Sequence, residues 1–534
     1  MSDYPTARSA WSPPDWPATT ADADDLEIWC YTDRFSYLPG EDVALHVHTT
    51  AERYSVHVVR DGAQPVTVQS WTGLQGSAHP TPADAYAAGC GWPVSHTFAV
   101  PADWTSGLYL VTVRTETRGD EAESDHFFVV RAAEDWRASA AIILTTSTLL
   151  AYNDWGGGNH YRGLGEDPAV DVGSARSSMH RPLGRGFLRK PPGAPRSRTE
   201  QALAPYGEPR YEVYEWARLR GYSRHHADAF WATFERPFVV WAEEQGYELD
   251  YLTQDDLHRT PGVLDGYACA IFVGHDEYWS WEMRDAVDAF VEGGGRVARF
   301  AGNFLWQVRL EGSVQVAYKY GAEHDDPQAS SEHPERTTVA WDHPITGRPG
   351  ATTFGLTANA GTYSRYGAAV PRGHGGLQVY RPDHWSLAGT DSYYGDIIGG
   401  MPAGVGTYEV DGCDHVVEHG VPRPTGADGA PANLEIIALG PAVKYEEDHF
   451  AGTVPLGDPG NANDAAAEGR TWVRTDDGER RPAYGAAMMV AFSRGHGEVF
   501  NSGTTEWVAG LIHGDRTVET ITRNVLDRFG VERP

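Results

Sequence analysis

The stretch Ala268-Cys269-Ala270-Ile271-Phe272-Val273-Gly274-His275-Asp276-Glu277-Tyr278-Trp279 decides the fold. Its apolar first half shows no polar alternation, as in a strand buried on both faces, the habit of parallel sheets. An imidazole, two carboxylates and a phenol follow at once. Open parallel sheets bind ligands in the crevice beyond the carboxyl ends of their strands. Polar groups crowded there are costly to bury unless paired, so a metal, a substrate or a rigid hydrogen-bond network must account for them.

Working outward, residues 140–144 (AAIIL) predict another buried strand, and residues 235–245 predict a helix with Gly246 at its C-terminal cap. Residues 247–252 and 296–300 predict further strands. Between 273 and 296, Met283, Ala286, Val287, Phe290 and Val291 recur at helical spacing. This rhythm predicts an α/β fold over residues 138–534, a doubly wound sheet of glutamine-amidotransferase-like architecture. Residues from about 310 to 430, rich in Gly and Pro, read as an insertion of loops and short strands over that sheet. The core resumes at 434–439, followed by a hairpin turning at Arg494-Gly495-His496-Gly497 and a last helix carrying Val518, Ile521, Val525, Leu526 and Phe529.

Ahead of it, residues 26–134 alternate in polarity over short strands, predicting an antiparallel, immunoglobulin-like β-sandwich. Residues 1–25 are expected to form an N-terminal arm, and Ala132 to Arg137 a charged linker. With 534 residues the chain exceeds the roughly 250–300 at which one core stops growing. A net charge of −31 argues against nucleic acid, whose binding needs clustered Lys and Arg. No apolar run approaches the ~20 residues of a membrane span, and the first residues lack a secretion signal, so a cytoplasmic location is expected. Cys30, Cys90, Cys269 and Cys413 form no CxxC pair; buried thiols are expected, with a Cys30–Cys90 bridge left open. Lys190, Lys319 and Lys444 are the only lysines among 43 basic residues, which singles out Lys319 and Lys444 as positions where Arg was not used.

Three segments leave strands toward one edge: Ala151-Tyr152-Asn153-Asp154-Trp155 with the glycines 156–158, Gly274 to Tyr278, and Ala301-Gly302-Asn303-Phe304-Leu305-Trp306. No G-x-S-x-G elbow occurs, and no Cys follows Val273 where a thiol amidotransferase would carry one. Carboxylate, phenol and imidazole without a nucleophile suggest a metal that activates water. A bland account exists for each residue singly: His275 as a satisfied core histidine, Glu277 as a helix N-terminal carboxylate, Tyr152 as a core aromatic.

Together, Ala-Tyr-Asn with its glycine cluster, Gly-His-x-Glu-Tyr, and Gly-Asn-Phe-x-Trp about 28 residues past the histidine resemble the large (β) subunit of N,N-dimethylformamidase and its relatives. In that family two tyrosines and one glutamate hold a mononuclear iron (Fe3+). The resemblance implies Tyr152 and Glu277 as ligands, with His275 and Asn303 lining the pocket. Where the family has Gly-Tyr-Leu this chain has Gly186-Phe187-Leu188, and a phenyl ring cannot bind iron. Another phenol, Tyr222 or Tyr161, would have to substitute, and Tyr222 is taken as the third ligand.

Lys319 and Glu409 stand at the order and spacing of the family's other polar site residues, and Trp155, Phe187 and Tyr445 are implied as substrate-binding walls. The resemblance implies hydrolysis of a small amide, in which these residue types would suit Glu409 to take a proton from water, Asn303 or His275 to donate to the oxyanion, and Lys319 to add positive charge. The resemblance also implies a homo-oligomer, with a small subunit as a possible partner. Two other readings remain: a ligand-binding or scaffold protein with a metal-free polar network, and a carbohydrate-active protein using Glu277 and Glu409 as paired carboxylates.

Overall fold

The computed structural model describes residues 26–133, 137–164, 172–197, 212–364, 374–443 and 484–533. Residues 26–133 form two facing sheets. One has three strands, Ile28–Thr32, Asp42–Thr49 and His96–Ala99; the other has five, in the order Ser36–Tyr37, Asp120–Val130, Gly107–Thr117, Arg53–Arg60 and Val66–Gln75. Alternate residues such as Val43, Leu45 and Val47 face Val56, Val58, Val111 and Val113 in one core. The opposite face of the larger sheet, including Leu108, Leu110, Phe127 and Val129, packs into the main core of the rest of the chain.

That main body is built on one long sheet. Along its main path lie β1 (Ala140–Leu144), β2 (Asp250–Thr253), β3 (Cys269–His275), β4 (Arg296–Gly302), β5 (Thr357–Ser364), β6 (Glu409–Gly412), β7 (Glu435–Val443), β8 (Tyr484–Arg494) and β9 (Gly497–Asn501), with Leu377–Val379 and Ile397–Ile398 paired beside it. They lie in the order β2-β1-β3-β4-β9-β8-β7-β5-β6. The first five are parallel, and from β9 onward every neighbour is antiparallel. Because β2 lies on one side of β1 and β3 on the other, the chain reverses direction across the sheet at β1/β3. The loops leaving those two strands therefore part to opposite faces and open a crevice.

Both faces of the parallel region are covered. Ile142, Leu144, Ile271 and Val273 meet Phe238 and Val239 of α2 (Glu235–Glu244) and Val525 and Leu526 of α4 (Arg516–Arg528). Ala141, Ile143, Ala270 and Phe272 meet Met283, Val287 and Val291 of α3 (Trp281–Glu292). Helix α3 starts where Ser280, in extended conformation, accepts from the Met283 amide. Its apolar stripe stabilises the fold by roughly 1.5–3 kcal/mol per buried side chain.

Part of the region expected to lie over the sheet instead extends it, since β5 and β6 continue its antiparallel half. The reason is close backbone packing. A Cβ on Gly361 would fall 2.1 Å from the Val410 carbonyl, and one on Gly485 would fall 2.2 Å from that of Gly361. The small residues that make 357–364 look like loop are those that let β5, β6 and β8 approach. The strand expected over 247–252 begins only at Asp250. Cys30 and Cys90 are free and buried, so no bridge joins them. No helix among the described residues is long and apolar enough to cross a membrane.

Candidate active site

Helix α1 (Thr146–Tyr152) leaves β1 and ends at Tyr152, whose ring is buried. The glycine cluster then turns the chain back, with Gly156 and Gly157 at φ +83° and +98°, left-handed backbone that suits glycine. Asn159 pins the return: its Nδ2 donates to the Tyr152 carbonyl at 2.9 Å and its Oδ1 accepts the Tyr161 amide at 2.8 Å. Tyr161 thereby stacks on Tyr152, ring centroids 4.7 Å apart.

Both hydroxyls converge on one carboxylate. Tyr152 donates to Glu277 Oε2 at 2.9 Å, and Tyr161 reaches both Glu277 oxygens at 2.9 Å. Tyr278 donates in turn to the Tyr161 hydroxyl at 2.6 Å. Burial lifts the Tyr152 and Tyr161 phenols well above their ordinary range, and the Glu277 charge lifts them further. The Lys319 ammonium lies 3.1 Å from the centroid of the Tyr161 ring, within cation–π range.

His275, at the end of β3, faces the same cluster. Its Nδ1 donates to the Asp228 carbonyl at 2.5 Å, and its Nε2 stands 2.9 Å from Glu409 Oε2 and 3.5 Å from Glu277 Oε2. Burial would depress this imidazole, but Glu409 and Glu277 outweigh it and push it up to about 10. Glu409 is itself raised, by burial first and by Glu277, with His275 opposing. The Asn303 side-chain amide is 3.0 Å from His275 Nε2. Asn303 holds φ at +64°, a conformation Asn tolerates better than most residues.

Beneath these groups lies an ionic knot. Arg299, fully buried on β4, reaches Asp276 at 2.5 and 2.8 Å, Asp411 at 2.7 Å and Asn501 at 3.1 Å. Asp411 also accepts the Phe304 amide at 3.0 Å. One guanidinium therefore ties together the segments bearing Glu277, Asn303 and Glu409.

The structure thus gathers Tyr152, Glu277, His275, Asn303, Lys319 and Glu409. Tyr222 is not among them: after Gly221 (φ +67°) its ring folds onto Trp216 at 4.8 Å and His226 at 6.3 Å. Tyr161 supplies the second phenol. Trp155 is turned away by Asn153, whose Oδ1 accepts its amide, and packs with Trp29 and Trp92 at centroid distances of 5.7 and 5.9 Å. Phe187 is a fully buried core ring. Tyr445 and Lys444 lie outside the described residues. The sequence gives no signal for Asp228 or the Arg299 knot, and Tyr278, the phenol of the motif after β3, carries no assigned role there. The clue to Tyr161 is its place just past a glycine turn that can fold back on Tyr152.

The donor set suits the implied iron, because two phenols and a carboxylate offer the anionic oxygens that a hard cation takes. Among the described residues no three His, Cys, Asp or Glu side chains gather at metal-binding spacing, so a metal here would rest on the phenols.

Comparison with known proteins adds independent findings. Residues 52–519 match the family model described as N,N-dimethylformamidase beta subunit-like, C-terminal. The N,N-dimethylformamidase beta subunit of an Alcaligenes species is 22% identical over 487 residues, covering 83% of this chain and 55% of that protein. The corresponding subunit of Paracoccus aminophilus is 22% identical over 482 residues with the same coverage. The chain spans about half the length of these curated relatives. A β-glucuronidase structure from Parabacteroides merdae, 15% identical over 21% of this chain and 14% of its own, has a TM-score of 0.12 and carries no argument.

Proposed function

Because the chain belongs to the N,N-dimethylformamidase beta subunit-like family, we propose that it hydrolyses the C–N bond of a small amide, with a mononuclear iron held by Tyr152, Tyr161 and Glu277. The observation that carries this reading is the convergence of two phenols on one buried carboxylate. When bound, such an ion supplies a Lewis acid for the amide carbonyl.

The remaining chemistry belongs to the side chains. His275, kept cationic by its two carboxylates, and the Asn303 amide donate to the oxygen that gains charge as the carbonyl is attacked. Lys319 adds a positive charge beside it. Glu409, with its carboxyl raised, takes a proton from the attacking water and yields it to the departing amine.

The test is iron stoichiometry after gentle purification, the tyrosinate charge-transfer band, and amine release from a panel of formamides and acetamides. Tyr161→Phe should bleach the band and abolish turnover, whereas Tyr222→Phe should leave both. A colourless, metal-free, inactive protein sinks the proposal. One observation favours a second reading, a metal-free binding module: the two phenols already satisfy Glu277 as a hydrogen-bond network. Unchanged folding after chelation, with amide binding but no hydrolysis after reconstitution with iron, would favour it. Both curated relatives are named as subunits, which supports an assembled state; a monomer by light scattering at micromolar concentration would count against that.

A further inference from the structure

The proposed chemistry leaves the Tyr278 hydroxyl unused. Tyr278 is fully buried, and its oxygen stands 2.6 Å from that of Tyr161. Counting hydrogens fixes the direction of this bond. Tyr161 has one hydroxyl hydrogen, which faces both Glu277 oxygens at 2.9 Å, and a carboxylate only accepts. The hydrogen between the two phenols therefore belongs to Tyr278. Lys319 acts on the same ring from its face, its ammonium 3.1 Å from the centroid.

The donor is anchored through its backbone. Tyr278 opens a short strand, Tyr278–Ser280, which runs parallel to Trp306–Glu311 with Tyr278 opposite Trp306. Its carbonyl accepts Gln254 Nε2 at 3.0 Å, and Gln254 Oε1 accepts the Ser147 amide of α1 at 3.0 Å. One buried glutamine thus ties the donor to the helix that ends in Tyr152. As an iron ligand the Tyr161 oxygen loses the hydrogen it now gives to Glu277, released to solvent as a proton, and keeps the one it receives from Tyr278. A hydrogen bond to an oxygen bearing negative charge is shorter and stronger than one between neutral groups.

We propose that Tyr278 is a positioning residue of the iron centre, whose hydroxyl donates to the Tyr161 oxygen, holds it toward Glu277 and limits the electron density it gives the metal. The inference rests on the iron-dependent amide-hydrolysis reading and adds to it a residue that acts through a ligand. Groups that orient metal ligands in this way are worth about 10–100-fold in metal affinity. The hydrogen bond also lowers the energy of the oxygen electrons from which the charge-transfer band arises. Its loss therefore moves that band to longer wavelength, which a ring that only fills space would not do.

The experiment titrates ferric nitrilotriacetate into the metal-free full chain and reads the charge-transfer band and the dissociation constant for wild type and Tyr278→Phe, with amide hydrolysis followed in the same samples. Tyr278→Phe should bind iron about ten-fold or more weakly, with the band at longer wavelength and far-UV circular dichroism unchanged. The tyrosinate modes in the resonance Raman spectrum of the wild type should shift between light and heavy water, because a ligand oxygen accepts an exchangeable hydrogen, and this shift should vanish in the variant. If Tyr278→Phe does not fold, the wild-type isotope shift carries the test, and its absence overturns the inference. A band that stays in place in the folded variant overturns it too, even if iron is held more weakly. A shifted band without hydrolysis removes the enzyme and keeps the role of Tyr278; hydrolysis with an unshifted band does the reverse. If the wild type takes up no iron or shows no band, both fall.

Discussion

Glu277 is the residue on which the site turns, because it alone accepts from both stacked phenols. Glu277→Gln keeps size and an acceptor oxygen but removes the anion, so iron content and turnover should fall together while circular dichroism is unchanged. Full iron in that variant would place the metal elsewhere. Asn303→Ala should act differently, leaving iron bound and lowering kcat, since one oxyanion donor is typically worth about 2.7–4 kcal/mol. A second buried carboxyl, Glu235, supplies a pH prediction. Burial raises it to about 7 from the ordinary 4.5, despite hydrogen bonds from the Thr145 amide and hydroxyl. A raised carboxyl binds more protons folded than unfolded. Its stabilising contribution is therefore complete below about 4.5 and is lost as pH rises through about 7. The span is on the order of 3–4 kcal/mol. Urea unfolding across that window should show Glu235→Gln with a flatter slope than wild type, and parallel curves would refute the assignment.

At the level of elements, the β3 and β4 segments and the helix between them could be read from sequence because their cores are long, apolar and regularly spaced. The turn after β3 was legible for a related reason: a strand buried on both faces makes the polar residues that end it conspicuous. β5 was not legible, since its sequence, TANAGTYS, owes its small residues to the approach of β6 and β8 and shows no alternation. Tyr222 was preferred to Tyr161 because spacing along the chain carries no information about which way a glycine turn folds. The Arg299 knot was invisible for want of any local pattern, as its partners lie 23, 112 and 202 residues away. Burial would depress the guanidinium, yet Asp276 and Asp411 hold it above its ordinary value. Arg299→Met leaves two carboxylates buried without their cation and should destabilise the fold by about 3–5 kcal/mol. Adding Asp276→Asn and Asp411→Asn to it should recover part of that loss. A triple variant no more stable than the single one would show that charge is not what the knot balances.

Across the whole molecule, the sandwich braces the loop that delivers Tyr161. Ala85 and Tyr86 pack on the glycine turn so closely that a Cβ on Gly158 would meet the Tyr86 ring at 3.2 Å, and Trp155 is seated between Trp29 and Trp92. Docking is fixed at the other end by Asp61, which accepts from Trp231 Nε1 at 2.7 Å and Arg236 Nε at 2.8 Å. Arg189 adds a two-pronged contact to Asp125. Asp61→Ala strands the buried Trp231 N–H, a loss of about 1–3 kcal/mol. If the docked sandwich holds the glycine turn in place, loosening the docking at Asp61 should reach that turn. Hydrogen exchange should therefore quicken in residues 153–163 of the variant while the α3 amides, packed on the far face of the sheet, keep their protection. Equal protection of both segments, with only the melting temperature lowered, would mean that the sandwich adds stability without holding the turn.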